Sequence, residues 1–413
     1  MIDKKKVELL SPVGDFSCLK AAINNGADSI YFGIGQLNMR ARSTTNFNIE
    51  NINEISNICK KKNVKTYLTI NTIIYDHDLS FVKKIIFQAK KYEIDAVIVM
   101  DQSVMNYAYN IGMNVHLSTQ VNVTNTESVK FYSNFSDAII LSRELSLVQI
   151  KNIIKYINKN NIKGPSGKLL KIEIFVHGAL CMAISGKCYL SLHYYNSSAN
   201  RGACKQNCRK KYIVINQENN SKLELDHEYI MSSKDLCTIS FLDKIINTGV
   251  KILKIEGRGR SPEYVSVTTS CYREAIDSIY NKTFNKKKIV FWIKRLKKVY
   301  NRGFWNGYYL GNKIGEWSKV SGSLASQRKI YLGRGIHYYT NKKIAEFLIE
   351  SYTLKVGDKI LIIGPTTGVK KIKVDYIMVK NIFKKKVFKG QICTIPVKFK
   401  IRSSDKIYKL IKK

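Results

Sequence analysis

The chain's 413 residues suffice for two or three domains with substantial cores, and 45% apolar with 24% charged content is that of a folded protein, not a disordered one. Lys and Arg number 69 against 31 Asp and Glu, a net charge of +38 that points to a polyanionic partner even after allowance for a Lys-rich coding bias. No apolar run approaches the ~18–20 residues that cross a bilayer, and Glu8 interrupts the start before a signal-peptide core could form, so a cytoplasmic protein is expected.

Through residue 260 one pattern recurs: a short β-branched or aromatic run, a polar residue, then an amphipathic helix. The runs fall at 7–10, 29–32, 66–70, 96–100, 114–117, 138–141, 172–176 and 251–255. Helical periodicity marks 15–26, with Asp15 as N-cap and Gly26 as stop, and then 49–62, 79–92 and 145–158. Eight strands alternating with helices predict an α/β fold, a TIM-like (β/α)8 barrel over residues 1–300. An open, doubly wound sheet is the alternative, because periodicity does not show closure. A Cys-rich insertion at about 178–240 separates the last two strands and is too long for a simple connection. Helical stretches follow at 262–280 and 286–300. From 320 to 413 the pattern becomes short alternating runs with Gly turns at 355–358 and 364–368, which predicts a small C-terminal β-barrel domain.

In a (β/α)8 barrel the chemistry collects at the C-terminal ends of the strands. Those positions read Ser11-Pro12, Gly33, Asn71, Asp101, Ser118-Thr119-Gln120, Arg143-Glu144, His177 and Glu256-Gly257-Arg258. Any one of them can be plain strand termination; together they describe a polar pocket. Arg143 and Arg258 offer planar forks for carboxylate or phosphate, with Glu144, Arg40 and Arg42 near the same mouth. Asn71 and Gln120 can orient a ligand through amide hydrogen bonds, and His177 and Glu256 are candidates for acid–base roles. A nucleophile elbow, a His-Glu-x-x-His zinc pair and a phosphate loop are all missing from the sequence.

Five of the nine cysteines, Cys181, Cys188, Cys204, Cys208 and Cys237, fall within 57 residues, while Cys18, Cys59, Cys271 and Cys393 are dispersed as core cysteines usually are. In a reducing compartment clustered thiols suggest metal ligands before disulfides. Their spacing lacks paired zinc knuckles and the radical-SAM triplet, which favours a 4Fe–4S cluster but leaves zinc, or no metal, open.

The segment Glu173-Ile-Phe-Val-His-Gly-Ala-Leu-Cys-Met-Ala-Ile-Ser-Gly-Lys-Cys-Tyr-Leu-Ser191 resembles the signature of the collagenase-like peptidase family U32. So do Arg201-Gly-Ala-Cys-Lys-Gln-Asn-Cys-Arg209, Ser233-Lys-Asp-Leu-Cys237, Ile255-Glu-Gly-Arg258 and Asn301-Arg-Gly-Phe304, so that the resemblance runs nearly end to end. The family is named for peptidase activity, and its better understood members are iron–sulfur hydroxylation proteins. The length and the C-terminal β region resemble most the members that hydroxylate the wobble uridine of tRNA to 5-hydroxyuridine with prephenate as co-substrate; others act on different RNAs or on ubiquinone precursors. The resemblance implies a 4Fe–4S cluster on Cys181, Cys188, Cys204 and Cys237; Cys208 also recurs in relatives, and the expectation is that it does not ligate. It also implies a tRNA anticodon loop and a small organic acid as ligands, and a possible partner protein of the same family. Basic stretches at 201–211, 286–298 and 384–389 are the candidate RNA surfaces. A U32-type peptidase, or a non-catalytic RNA-binding factor with a structural cluster, is the competing expectation.

Overall fold

The structure, a computed structural model, describes residues 7–413 apart from 43–46, 214, 216, 220–228, 313–314 and 321. Eight parallel strands form a barrel: β1 Glu8–Pro12, β2 Ser29–Gly33, β3 Lys65–Ile70, β4 Ala96–Val99, β5 Val115–Leu117, β6 Ala138–Ile140, β7 Lys171–Ala179 and, after the short β8 Asp235–Cys237, β9 Ile252–Ile255. Each pairs in parallel with the next, and β9 pairs with both β7 and β1, which closes the ring and excludes the open sheet. The strands read as continuous apolar runs because both faces are covered: Leu9, Leu10, Ile30, Phe32, Leu68, Val97 and Ile98 are all essentially inaccessible.

Helices α1 Phe16–Asn24, α2 Asn51–Lys60, α3 Leu79–Lys91, α4 Gln102–Asn110, α5 Thr126–Ser133 and α6 Leu147–Lys159 return the chain between strands. Asp15 caps α1 as predicted, accepting from the Cys18 N–H at 2.7 Å. The strand-end carboxylate Asp101 is likewise a cap, accepting from Ser103 N–H at 2.9 Å at the start of α4, and so is spent on the helix.

The insertion carries the short helix α7 Leu190–Tyr195 and lies over the C-terminal mouth of the barrel. Arg201 reaches Asp78 through both terminal nitrogens, at 2.6 and 3.2 Å, and donates to the Ile73 carbonyl at 2.6 Å. Arg209 donates to the Leu180 carbonyl at 2.7 Å and to the Ser233 carbonyl. Arg201 therefore ties the insertion to the segment after β3, while Arg209 ties the middle of the insertion to its two ends. Gly202 sits at φ +78 against the Asn38 carbonyl oxygen, where any Cβ would collide. Strand β8 runs antiparallel to the end of β7, with Ala179 opposite Asp235 and His177 opposite Cys237. Its three residues are too few to show a period, so the sequence does not predict it.

Beyond the insertion come α8 Leu242–Ile246, α9 Pro262–Tyr280, α10 Lys286–Leu296 and β10 Phe304–Trp305, which pairs with β8. The C-terminal region is an eight-stranded antiparallel sheet with its own core, Leu332, Phe347, Ile349, Ile360 and Ile395 among others. Its strands are β11 Gln327–Tyr339, β12 Ile344–Ile349, β14 Lys359–Gly364, β15 Gly368–Lys373, β16 Met378–Val379, β17 Ile382–Phe383, β19 Ile392–Pro396 and β20 Lys406–Lys412; β13 Leu354–Lys355 and β18 Lys386–Val387 form a separate ribbon. The predicted runs at 330–331 and 337–340 are one strand, β11, because register shifts at Gly333 and Gly335 carry it past its partners.

Candidate active site

The mouth of the barrel and the insertion enclose a cavity of about 140 Å³, a size that accommodates a single ring compound. Of the predicted residues, Asn71, Gln120, Arg40, Arg143, Glu256 and Arg258 line it. Asn71 accepts from the Met39 N–H at 3.3 Å and donates to Gln120 Oε1 at 3.2 Å, so the two amides orient one another. Arg258, buried on the strand end after β9, donates to Thr69 Oγ1 at 2.9 Å. It fits there because position 33 is glycine: a Cβ on Gly33 would strike the Arg258 guanidinium and Asn38.

The electrostatics turn on which charges are already matched. Arg40 Nη2 lies 2.8 Å from Glu256 Oε1. Burial alone would raise the Glu256 carboxyl, but Arg40, Arg260 and Arg143 outweigh it and hold the group down to about 2, so it is ionised and cannot serve as a general acid near neutrality. Lys254, deep on β9, pairs with Glu173 at 2.8 Å. Arg143 and Arg258 have no carboxylate partner among the described residues. Arg143 stacks 4.1 Å from the Phe175 ring centre and donates to the Ala179 carbonyl at 3.1 Å, while its Nε is buried without an acceptor. Burial pushes the Arg258 guanidinium down to about 10, the mark of a cation short of an anion. Two guanidiniums without a carboxylate partner among the described residues thus line one cavity, and planar forks of this kind match carboxylate or phosphate groups. Arg143→Lys and Arg258→Lys, which keep charge and lose the fork, are each expected to lower kcat/KM at least tenfold while leaving the thermal midpoint within a few degrees. Wild-type kinetics in both would remove these residues from the site.

Three predicted residues lie elsewhere. His177 does not reach the cavity: its side chain is buried against Tyr272 and Tyr264 of α9 and Phe304, with ring centres 5.5, 6.0 and 5.6 Å away. Burial pushes its imidazole down to about 3, so it is neutral near pH 7. Glu144 is exposed and accepts from Ser142, and Arg42 is exposed on a turn; neither lines the cavity. The sequence in turn missed Tyr31, Thr69, Phe175 and Lys254, whose positions inside apolar runs look like ordinary strand interior; a lysine within the run 252–255 was the one available signal.

The cysteines divide differently from the expected set. Cys181, Cys188, Cys204 and Cys208 all line the cavity. Cys237 lines a separate depression with Lys234, Ser240 and Phe304, is 6% exposed, and is pushed up to about 11 by burial. The reason lies in the local backbone. Strand β8 fixes Cys237 opposite His177, whereas the chain takes a left-handed turn at Gln206, so that Cys204 and Cys208 line the same cavity without the shared helical turn that their spacing suggested. Among the described residues no three His, Cys, Asp or Glu side chains converge closely enough to hold a single metal ion. The four thiols are soft donors that share this cavity with the Glu256 carboxylate and the Arg40 and Arg258 guanidiniums.

A sequence profile described as peptidase family U32 matches residues 14–319. A protein of Porphyromonas gingivalis named collagenase is 50% identical over 406 residues, 98% of each chain. The tRNA hydroxylation protein P of Helicobacter pylori is 34% identical over 316 residues, 74% of this chain and 72% of that one. The tRNA hydroxylation protein P1 of Bacillus subtilis is 30% identical over 369 residues, 87% and 84% of the two chains.

Proposed function

Because this chain belongs to peptidase family U32, we propose that it is an RNA-hydroxylating enzyme of that family, forming 5-hydroxyuridine at the wobble position of tRNA with prephenate as co-substrate. The observation that carries this reading is the pair of unmatched guanidiniums, Arg143 and Arg258, in a cavity sized for one ring: prephenate is a single-ring compound bearing two carboxylates. In the proposal Arg143 and Arg258 hold the carboxylates, Asn71 and Gln120 orient the ring, and the ion-paired Glu256 keeps Arg40 extended over the mouth. A 4Fe–4S cluster held by Cys181, Cys188, Cys204 and Cys208 would supply the redox chemistry at the same wall.

The basic excess supports an RNA substrate, and so does the outer face of the insertion. Tyr189, Tyr194 and Tyr195 are exposed there, and Lys210 Nζ lies 4.9 Å from the Tyr195 ring centre. Aromatic faces beside lysines are suited to stacking an unpaired base while the phosphates meet positive charge. Phe383 and Phe388 are exposed beside Lys384–Lys386 in the same way, whereas Trp292 of α10 is buried and donates to Glu274 at 2.9 Å, which removes it from the second candidate surface.

The peptidase reading is favoured by relatives named for proteolysis, among them the protein named collagenase at 50% identity. Against it, the cavity wall has no histidine among the described residues, so a cysteine there lacks the imidazole base that a cysteine protease uses. The deciding experiment is mass spectrometry of tRNA nucleosides from a deletion strain. Derivatives of 5-hydroxyuridine should fall and return with the wild-type gene but not with Arg258→Lys. Unchanged nucleosides, or gelatin cleavage by the purified protein that Arg258→Lys leaves intact, would sink the hydroxylation reading.

A further inference from the structure

Lys254 occupies the floor of the cavity, and the hydroxylation reading gives it no task. It precedes Glu256 by two residues on one strand path, so both project into the barrel, Lys254 the deeper. It is 3% exposed yet contributes to the cavity wall. Its Nζ lies 4.4 Å from the centre of the Tyr31 ring and 5.5 Å from that of Phe175. The Arg143 guanidinium packs on the same Phe175 ring at 4.1 Å, and that of Arg258 faces the same Tyr31 ring at 6.0 Å. The amine is thus flanked by the two forks that would hold a diacid. On its far side Glu173 Oε1 is 2.8 Å away, and Glu173 Oε2 is buried without a hydrogen bond, 3.5 Å from His116 Nδ1. As stabilisation, a buried Lys–Glu pair is often no better than two apolar side chains of similar volume. On the wall of a ligand cavity it supplies an amine and a proton acceptor in contact.

We propose that Lys254 forms a Schiff base with the ketone of a 2-oxo acid seated in this cavity. The proposal rests on the reading of the cavity as a small-diacid site and deepens it, since prephenate carries a 2-oxo acid side chain. Glu173 takes one proton from the ammonium, and the neutral amine adds to the ketone carbon, forming the C–N bond. The former carbonyl oxygen is then protonated and leaves as water while C=N forms. One amine and one ketone give one imine and one water, with no change of oxidation state and no further reactant. Burial pushes the Lys254 ammonium below its ordinary value despite the Glu173 carboxylate, which favours the neutral form the addition needs.

The test is reductive trapping on the full-length protein purified anaerobically. Protein is incubated with pyruvate or with prephenate, treated with sodium borohydride, digested, and mapped by mass spectrometry. The expected result is one reduced adduct per chain on the peptide containing Lys254, with either acid, absent when lactate replaces the 2-oxo acid. Lys254→Arg keeps the positive charge and should reduce trapping at least tenfold; should that variant fail to fold, the position of the adduct in the wild-type map decides alone. No adduct with protein that still binds prephenate by calorimetry would overturn the proposal, as would labelling spread over surface lysines without preference for Lys254. The readout is independent of RNA: trapping at Lys254 by both acids in a protein whose deletion leaves tRNA unchanged would uphold the imine and end only the hydroxylation reading.

Discussion

Cys208→Ala is expected to purify anaerobically with little or no iron and sulfide, while Cys237→Ala keeps nearly the full complement. Cys208 shares the cavity wall with Cys181, Cys188 and Cys204, whereas Cys237 is fixed on β8 opposite His177, against Tyr272 and away from that wall. Alanine at 181, 188 or 204 should match Cys208→Ala. Coordination by deprotonated thiols also contributes to folding, so loss of any of the four should loosen the insertion and raise its proteolysis. The barrel should survive, because its closed hydrogen-bonded ring does not depend on the insertion. Iron lost in Cys237→Ala and retained in Cys208→Ala would restore the ligand set implied by the family resemblance. Stoichiometric zinc in the wild type would remove the cluster altogether.

Acid should destabilise the protein from about pH 6.5 downward, and His177 should account for most of the early loss. Burial holds its imidazole at about 3 in the folded state against about 6.5 in the unfolded chain. The unfolded state therefore binds the additional proton between those values. Stability is fully present above pH 6.5 and is lost as pH falls toward 3, by on the order of 5 kcal/mol in all and roughly 2 kcal/mol by pH 5. Glu256, held at about 2, adds a second loss only below its unfolded value near 4.5, so the two windows separate. Urea midpoints at pH 7.5 and pH 5 check this. His177→Phe, which retains an aromatic ring among Tyr264, Tyr272 and Phe304, should flatten the difference and leave kcat within about twofold. An unchanged pH slope in the variant would mean that His177 is not the buried neutral group described here, and a large drop in kcat with the fold intact would return it to the site.

The barrel was legible from the chain because a parallel strand buried on both faces must be apolar throughout, and each of the eight runs stands out between helical segments. Asp15 and Gly26 marked α1 for equally local reasons, a side-chain cap and a left-handed stop. Closure was not legible, since pairing of β9 with both β1 and β7 joins residues far apart in sequence. Strand-end placement found Asn71, Gln120, Arg143, Glu256 and Arg258, because topology alone sends those positions to the mouth. It could not tell them from His177 or Asp101, whose side chains leave the same strand ends for α9 and for the cap of α4.

The cysteines and the charges show where local information stops. The sequence by itself determined that thiols cluster in one insertion, that cations greatly outnumber anions, and that the chain carries the family's motifs through most of its length. Which thiols share a wall was decided by a left-handed turn at Gln206 and by the register of β8, both set by contacts with the rest of the barrel. Which arginines are left without an anion was decided the same way. Arg40 found Glu256, Arg201 found Asp78 and Lys254 found Glu173, leaving Arg143 and Arg258 at the cavity without a carboxylate partner among the described residues. Residue type follows from sequence, but the burial, pairing and aim of a charge depend on side chains brought together from distant strands, and only the closed barrel brings them together.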